Sequence, residues 1–176
     1  GLVGSEMCIR DRINSRTKVV LATYLTGIVP NISKIKWICE ENNIFLIEDT
    51  CESLGAKYKE KYLGTFGDFG TYSFYYSHQI TSGEGGMVVC NAKTDYELIN
   101  SMRSHGWARK LKNNKDTSFS FTNSGFNLRP LDISAAIGLN QFKRLNSIIK
   151  VRIKNRKIRC FKKRISKNPV SYTHLT

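Results

Sequence analysis

The chain has three prolines in 176 residues, no CxxC pair, no acid after Asp132 and no unbroken apolar stretch of membrane-spanning length. Each absence removes a class. Five cysteines, Cys8, Cys39, Cys51, Cys90 and Cys160, lie far apart and without clustered histidines, which excludes a disulfide framework and a zinc or other metal site. Reduced thiols of this kind fit a cytoplasmic protein. A membrane helix needs about 18 consecutive apolar residues, and no run approaches that. The lack of acid after Asp132 leaves a dense basic run over residues 150–167 in a chain of net charge +14. A nucleic-acid footprint is one reading of such a run. The other is a helix whose apolar positions Ile148, Val151, Ile158, Phe161 and Ile165 alternate with a solvated basic face. Without a zinc-finger, helix-turn-helix or RNA-binding signature the second is preferred, so neither a nucleic-acid nor a membrane partner is expected. One further absence matters later: no lysine or arginine stands between Lys61 and Lys93.

The two ends read differently from the rest. GLVGSEMCIRDR over residues 1–12 and VSYTHLT over 170–176 lack apolar periodicity and the layout of a signal peptide. The DNA tag ATGTGTATAAGAGACAG encodes Met7 to Asp11 and the start of Arg12, and its reverse complement, in another frame, encodes Val170 to His174. Both segments are therefore expected to be translated adapter, leaving residues 13–169 as genuine coding sequence, open at both ends. That length can bury a real core. It divides into residues 13–146, part of a large α/β domain, and a basic helix over 147–169 leading toward a further domain.

Apolar patterning predicts an alternation of elements. Residues 18–23 (KVVLAT) form a short β-rich run, and Asn31 or Ser33 caps a helix in which Ile32, Ile35, Ile38 and Cys39 recur up to Asn42 and Asn43. Residues 44–47 (IFLI) read as a parallel strand covered on both faces, delivering Glu48 and Asp49 at its carboxyl end, where α/β folds bind ligands. Strands are expected over 71–76 and 87–90, flanking a loop in which Gly83, Gly85 and Gly86 permit unusual backbone conformations. Helices follow over 94–104 and 133–145, the second capped by Asp132 with a break at Asn146, and residues 106–122 form a loop or irregular hairpin. The fold class is α/β with a largely parallel sheet. Taken singly, Asp49 reads equally as a helix cap, Ser73 as a satisfied core hydroxyl and His78 as a structural histidine.

Order and spacing add more. IEDTCESLGAKYKEKYLGTFGDFGTYSF, the loop SFYYSHQITSGEGG, HGW at residues 105–107 and GFNLRPLDISAAIG at 125–138 together resemble the DegT/StrS family of sugar aminotransferases, over nearly all of residues 18–154. The resemblance implies a fold-type I pyridoxal 5'-phosphate enzyme. Its large domain has a mixed, mostly parallel sheet flanked by helices, a smaller C-terminal domain follows, and homodimers carry active sites at the interface. It also implies site roles: Asp49 pairs with the pyridinium nitrogen, Ser73 holds the cofactor phosphate, Glu52 lies near the ring where many members have glutamine, and Asn127 reaches the neighbouring subunit's cofactor. Tyr24 stands where many members have histidine. The turn that gives amides to the phosphate and the aromatic group covering the ring belong to segments before Ile13.

His78 occupies the position of the Schiff-base lysine, and the gap between Lys61 and Lys93 leaves no nearby substitute. Family members with histidine there resemble sugar 3-dehydratases acting on nucleotide-linked 4-keto-6-deoxyhexoses. In that branch the cofactor is held non-covalently as pyridoxamine 5'-phosphate, its amine is restored by a donor such as glutamate, and His78 moves the proton. An imidazole of unperturbed pKa about 6.5 suits that task near neutrality. A related branch carries an iron–sulfur cluster on grouped cysteines, and residues 105–125 contain none. Two other readings stay open: an aminotransferase using a lysine from elsewhere, and a sugar-nucleotide-binding homologue without catalysis.

Overall fold

A computed structural model of the chain describes residues 5–108 and 120–165. Four strands form the central sheet: β1 (Val19–Thr23), β2 (Phe45–Asp49), β5 (Phe69–Ser73) and β6 (Gly86–Cys90), in the order β1-β2-β5-β6. The pairs β1·β2 and β2·β5 are parallel and β5·β6 is antiparallel, giving the mixed, mostly parallel sheet that was expected. Between β2 and β5 a small hairpin, β3 (Lys57–Tyr58) and β4 (Lys61–Tyr62), stands apart from the sheet. Two-residue strands leave too short an alternation to be seen in sequence.

Helix α2 (Ile32–Glu41) crosses from β1 to β2. Asn31 is its cap, its Oδ1 accepting the Lys34 N–H at 3.3 Å, and Asn43 ends it with φ 51°. Ile32, Ile35, Ile38 and Cys39 are buried on one stripe of this helix, and Ile32, Ile35 and Cys39 pack with Leu46, Tyr24 and Leu63. Helices α3 (Lys93–Met102), α4 (Asp132–Phe142) and α5 (Leu145–Ile165) follow β6. Trp107 bridges Phe121, and Ser104 bridges Asn127, so the described parts of residues 104–127 approach one another as an irregular antiparallel hairpin.

Several sequence expectations are corrected. Residues 5–12, which lack apolar periodicity, form helix α1 (Ser5–Arg12), which contacts α2. Glu6, Met7 and Arg10 are good helix formers, and propensity needs no periodicity. The strand expected over 71–76 lies at Phe69–Ser73, because β6 begins opposite Ser73 at Gly86 and the chain then turns away. Leu131, in extended backbone, is the α4 cap; Asp132 is inside the first turn, where its charge suits the helix dipole. The break before α5 falls at Lys143 and Arg144 instead of Asn146. Of the three loop glycines only Gly83 takes a positive φ, 83°; at Gly85 a Cβ would come within 2.3 Å of Ser82 Oγ.

The coverage of β2 is also one-sided. Leu46 and Glu48 are buried on the α2 face, whereas Phe45 on the opposite face is 57% exposed. The register places Val19, Leu21 and Val88 on that same open face, and all three are exposed. Among the described residues, one layer covers a sheet whose parallel strands ordinarily need two.

Candidate active site

Adjacent residues of a strand point to opposite faces, and β2 ends on two acids. Glu48 faces the core and is fully buried. Its Oε1 accepts from the Tyr24 hydroxyl at 2.9 Å and the Gly64 N–H at 2.8 Å, and its Oε2 from the N–H groups of Phe66 and Gly67 at 2.6 and 2.7 Å. Four donors offset the cost of burying a carboxylate. Gly64 and Gly70 let this loop sit against the sheet, since a Cβ on Gly70 would lie 1.9 Å from the Gly64 carbonyl oxygen. Burial, reinforced by Glu48, pushes the Tyr24 phenol far above its ordinary value near 10. Tyr24 also donates its backbone N–H to the Asp49 carbonyl at 3.0 Å. It thus grips β2 on both sides of the bend.

Asp49 is on the open face, half-buried. Its Oδ1 accepts the Cys51 N–H at 3.1 Å and faces the Thr71 hydroxyl at 3.4 Å; its Oδ2 has no partner among the described residues. Burial, and then Asp49, push the Cys51 thiol up, which keeps it neutral and a poor nucleophile. Thr71 pairs with Asp49 across the β2·β5 register, and Ser73 is on the same face about 7 Å further along β5. Ser73 Oγ accepts the Tyr75 N–H at 3.2 Å, so its own proton remains for another acceptor.

The loop leaving β5 carries His78. Its backbone N–H donates to the Tyr75 carbonyl at 3.1 Å, and its half-buried imidazole meets the Tyr75 ring edge-on at 6.2 Å. Gln79 ties the loop to the turn after Asp49, its Nε2 donating to the Glu52 carbonyl at 2.6 Å. The Glu52 side chain is exposed, and its Oε2 accepts the N–H of Thr26, a residue strained at φ 54°. Asp49, Ser73, His78 and Glu52 therefore gather at the carboxyl end of the sheet. Asn127 is exposed, beyond α3, where it bridges Ser104, and its Oδ1 accepts from Arg129 Nε at 3.4 Å.

Residues 5–173 match the model of the DegT/DnrJ/EryC1/StrS aminotransferase family. The chain belongs to that family. It is 40% identical over 158 residues to GDP-4-keto-6-deoxy-D-mannose 3-dehydratase of Escherichia coli O55:H7, covering 84% of this chain and 41% of that protein. To GDP-perosamine synthase of Escherichia coli O157:H7 it is 38% identical over 141 residues, 80% of this chain and 37% of the relative. The structure of the E. coli dehydratase with bound hydrated pyridoxal phosphate superimposes with a TM-score of 0.78 at 37% identity, covering 86% of this chain and 42% of the other. The chain thus spans about two fifths of the length of these relatives. Fold-type I architecture, expected from the motifs, is what the superposition shows.

The donor set suits pyridoxal phosphate. A protonated ring nitrogen needs an anionic acceptor, and Asp49 offers an oxygen with no partner among the described residues. A phosphate needs donors, and the Ser73 hydroxyl has one to give. Sequence reasoning missed Gln79, and it placed Glu48 with Asp49 at the ligand-binding end of the strand where the structure buries it in the core. For Glu48 the signal was present: an acid one residue out of phase with Asp49 at the end of an apolar strand has to face the core. Gln79 carried no signal, because its partner is a backbone carbonyl.

Proposed function

We propose that the complete protein is a pyridoxamine phosphate-dependent 3-dehydratase of a nucleotide-linked 4-keto-6-deoxy sugar, with His78 as the proton-transferring base. The observation that carries this reading is an imidazole in the lysine position, on a loop tied to the turn after Asp49, with no lysine or arginine between Lys61 and Lys93 to tether a cofactor. When bound, pyridoxamine 5'-phosphate supplies an amine for the sugar's C4 ketone and a protonated ring that takes up electrons released as a C–H bond breaks. Asp49 Oδ2 holds the proton on the ring nitrogen. Ser73 donates its hydroxyl proton to the phosphate. His78 removes the proton at C4′ and, from the same face, returns one to the departing C3 hydroxyl. Glutamate restores the amine. Glu52 borders the ring, and Asn127 serves the cofactor of a partner subunit in a homodimer. The similarity to the E. coli dehydratase supports the substrate class. Surface polysaccharide biosynthesis in the cytoplasm is the setting we assign to it.

The test is to give the complete protein glutamate and a nucleotide 4-keto-6-deoxy sugar and follow 3-deoxy sugar by mass spectrometry. Wild type is expected to release it and His78→Asn to lose at least about two orders of magnitude in rate, as befits a general base. No product from either protein sinks the proposal. A second reading, aminotransfer through a lysine from elsewhere, is favoured by the similarity to GDP-perosamine synthase. Borohydride reduction separates the two: a phosphopyridoxyl adduct on a specific lysine supports aminotransfer, and cofactor that is bound but not trapped supports the dehydratase.

A further inference from the structure

Gln79 is 8% exposed and spends its amide unevenly. Nε2 donates to the Glu52 carbonyl at 2.6 Å, whereas Oε1 is buried with no hydrogen-bond partner among the described residues. Turning the amide over does not resolve this, since a carbonyl only accepts and Oε1 has no proton to offer it. A buried unpaired carbonyl is costly, and an apolar side chain of the same length would avoid that cost. The amide's use therefore lies in the bond it does make.

That bond joins two segments that the sheet alone leaves separate. The turn after β2 carries Asp49, whose Oδ1 accepts the Cys51 N–H. The loop after β5 carries His78, which is held from its other side by the Tyr75 carbonyl. Gln79 adjoins His78, and Glu52 adjoins Cys51. Ile80, next along, is 5% exposed and anchors the loop's far side, so the backbone at residue 78 is fixed between Tyr75 and the Gln79 amide.

We infer that Gln79 is a positioning residue that sets the imidazole of His78 relative to Asp49 by clamping the peptide of Glu52. The inference rests on the reading of His78 as the base. It predicts that loss of the clamp damages proton transfer more than folding, since a shift of about 1 Å at a reacting group costs on the order of 100-fold.

The experiment uses the complete protein with pyridoxamine phosphate and compares wild type, Gln79→Met and Gln79→Glu. Gln79→Met removes the donor and the orphaned acceptor together. It is expected to melt within a few degrees of wild type, to lose about 10- to 100-fold in kcat with KM little changed, and to shift or broaden the imidazole NMR resonance of His78, assigned by its loss in His78→Asn. Gln79→Glu can donate to the Glu52 carbonyl only when protonated, so its kcat relative to wild type is expected to recover as pH falls. A dehydrating wild type, with variants whose kcat and His78 resonance match it, overturns the inference. A wild type that does not dehydrate refutes the base assignment instead, and the His78 resonance still reports whether the clamp exists. If Gln79→Met does not fold, the pH-dependent ratio for Gln79→Glu decides, and a flat ratio counts against the clamp.

Discussion

At the scale of single residues, the contrast between Tyr24 and Cys51 shows how burial tunes groups near the site without making them reactive. Both are pushed toward their neutral forms, chiefly by burial. For Tyr24 the consequence is a dependence of stability on alkali. Its native phenol holds a proton that the unfolded chain releases near pH 10. Its contribution is therefore complete below that pH and is lost as pH rises beyond it. Urea unfolding of the complete protein from pH 8 to 11 is expected to show Tyr24→Phe less stable by about 1–3 kcal/mol at pH 8, from the lost bond to Glu48. The gap should narrow above pH 10, and parallel curves would contradict the assignment.

At the scale of elements, the β3·β4 hairpin carries avoidable strain. Its two turn residues, Lys59 and Glu60, have φ of 46° and 64°, the left-handed pair that a two-residue hairpin turn demands and that Asn-Gly fills best. The Lys57–Glu60 ion pair at 3.5 Å is compensation of little weight, with the Glu60 side chain 96% exposed. Replacing Lys59-Glu60 by Asn-Gly is expected to stabilise the protein by about 1 kcal/mol, read as a higher urea midpoint with an unchanged slope; an unchanged midpoint would mean that the turn relaxes in solution. The elements that sequence revealed and those it hid follow one logic. The stripe of Ile32, Ile35 and Cys39 was legible because burial on one face imprints a period, and residues 18–23 and 87–90 because they are short β-rich apolar runs. The ends of β5 and the cap of α4 were not, because they depend on where a partner strand stops and on the extended backbone of Leu131. The candidate site was half legible: Asp49, Ser73 and His78 stand out by type and order, while the bond from Gln79 to the Glu52 carbonyl and three of the four donors to Glu48 depend on backbone groups that every sequence has.

At the scale of the whole molecule, the open face of the sheet governs behaviour. Leu21 is 62% exposed and Phe45 57%, and α4 adds Ile133 at 75% and Leu139 at 68%. Apolar area of this extent needs a cover. Residues 13–168 expressed alone are expected to self-associate and to melt without a cooperative transition. Sedimentation with calorimetry checks this, and a monomer with one sharp transition would disprove it. The pairing of Glu48 and Asp49 has a further consequence for how such a chain can change over generations. The two acids are told apart only by the parity of their position in β2, one behind the sheet and one before it. A single-residue insertion inside that strand would exchange them, sending the open-face acid into the core and the core acid into the open. Drift in length is therefore barred from β2 and left to the loops, even though a swap of neighbouring carboxylates barely alters composition.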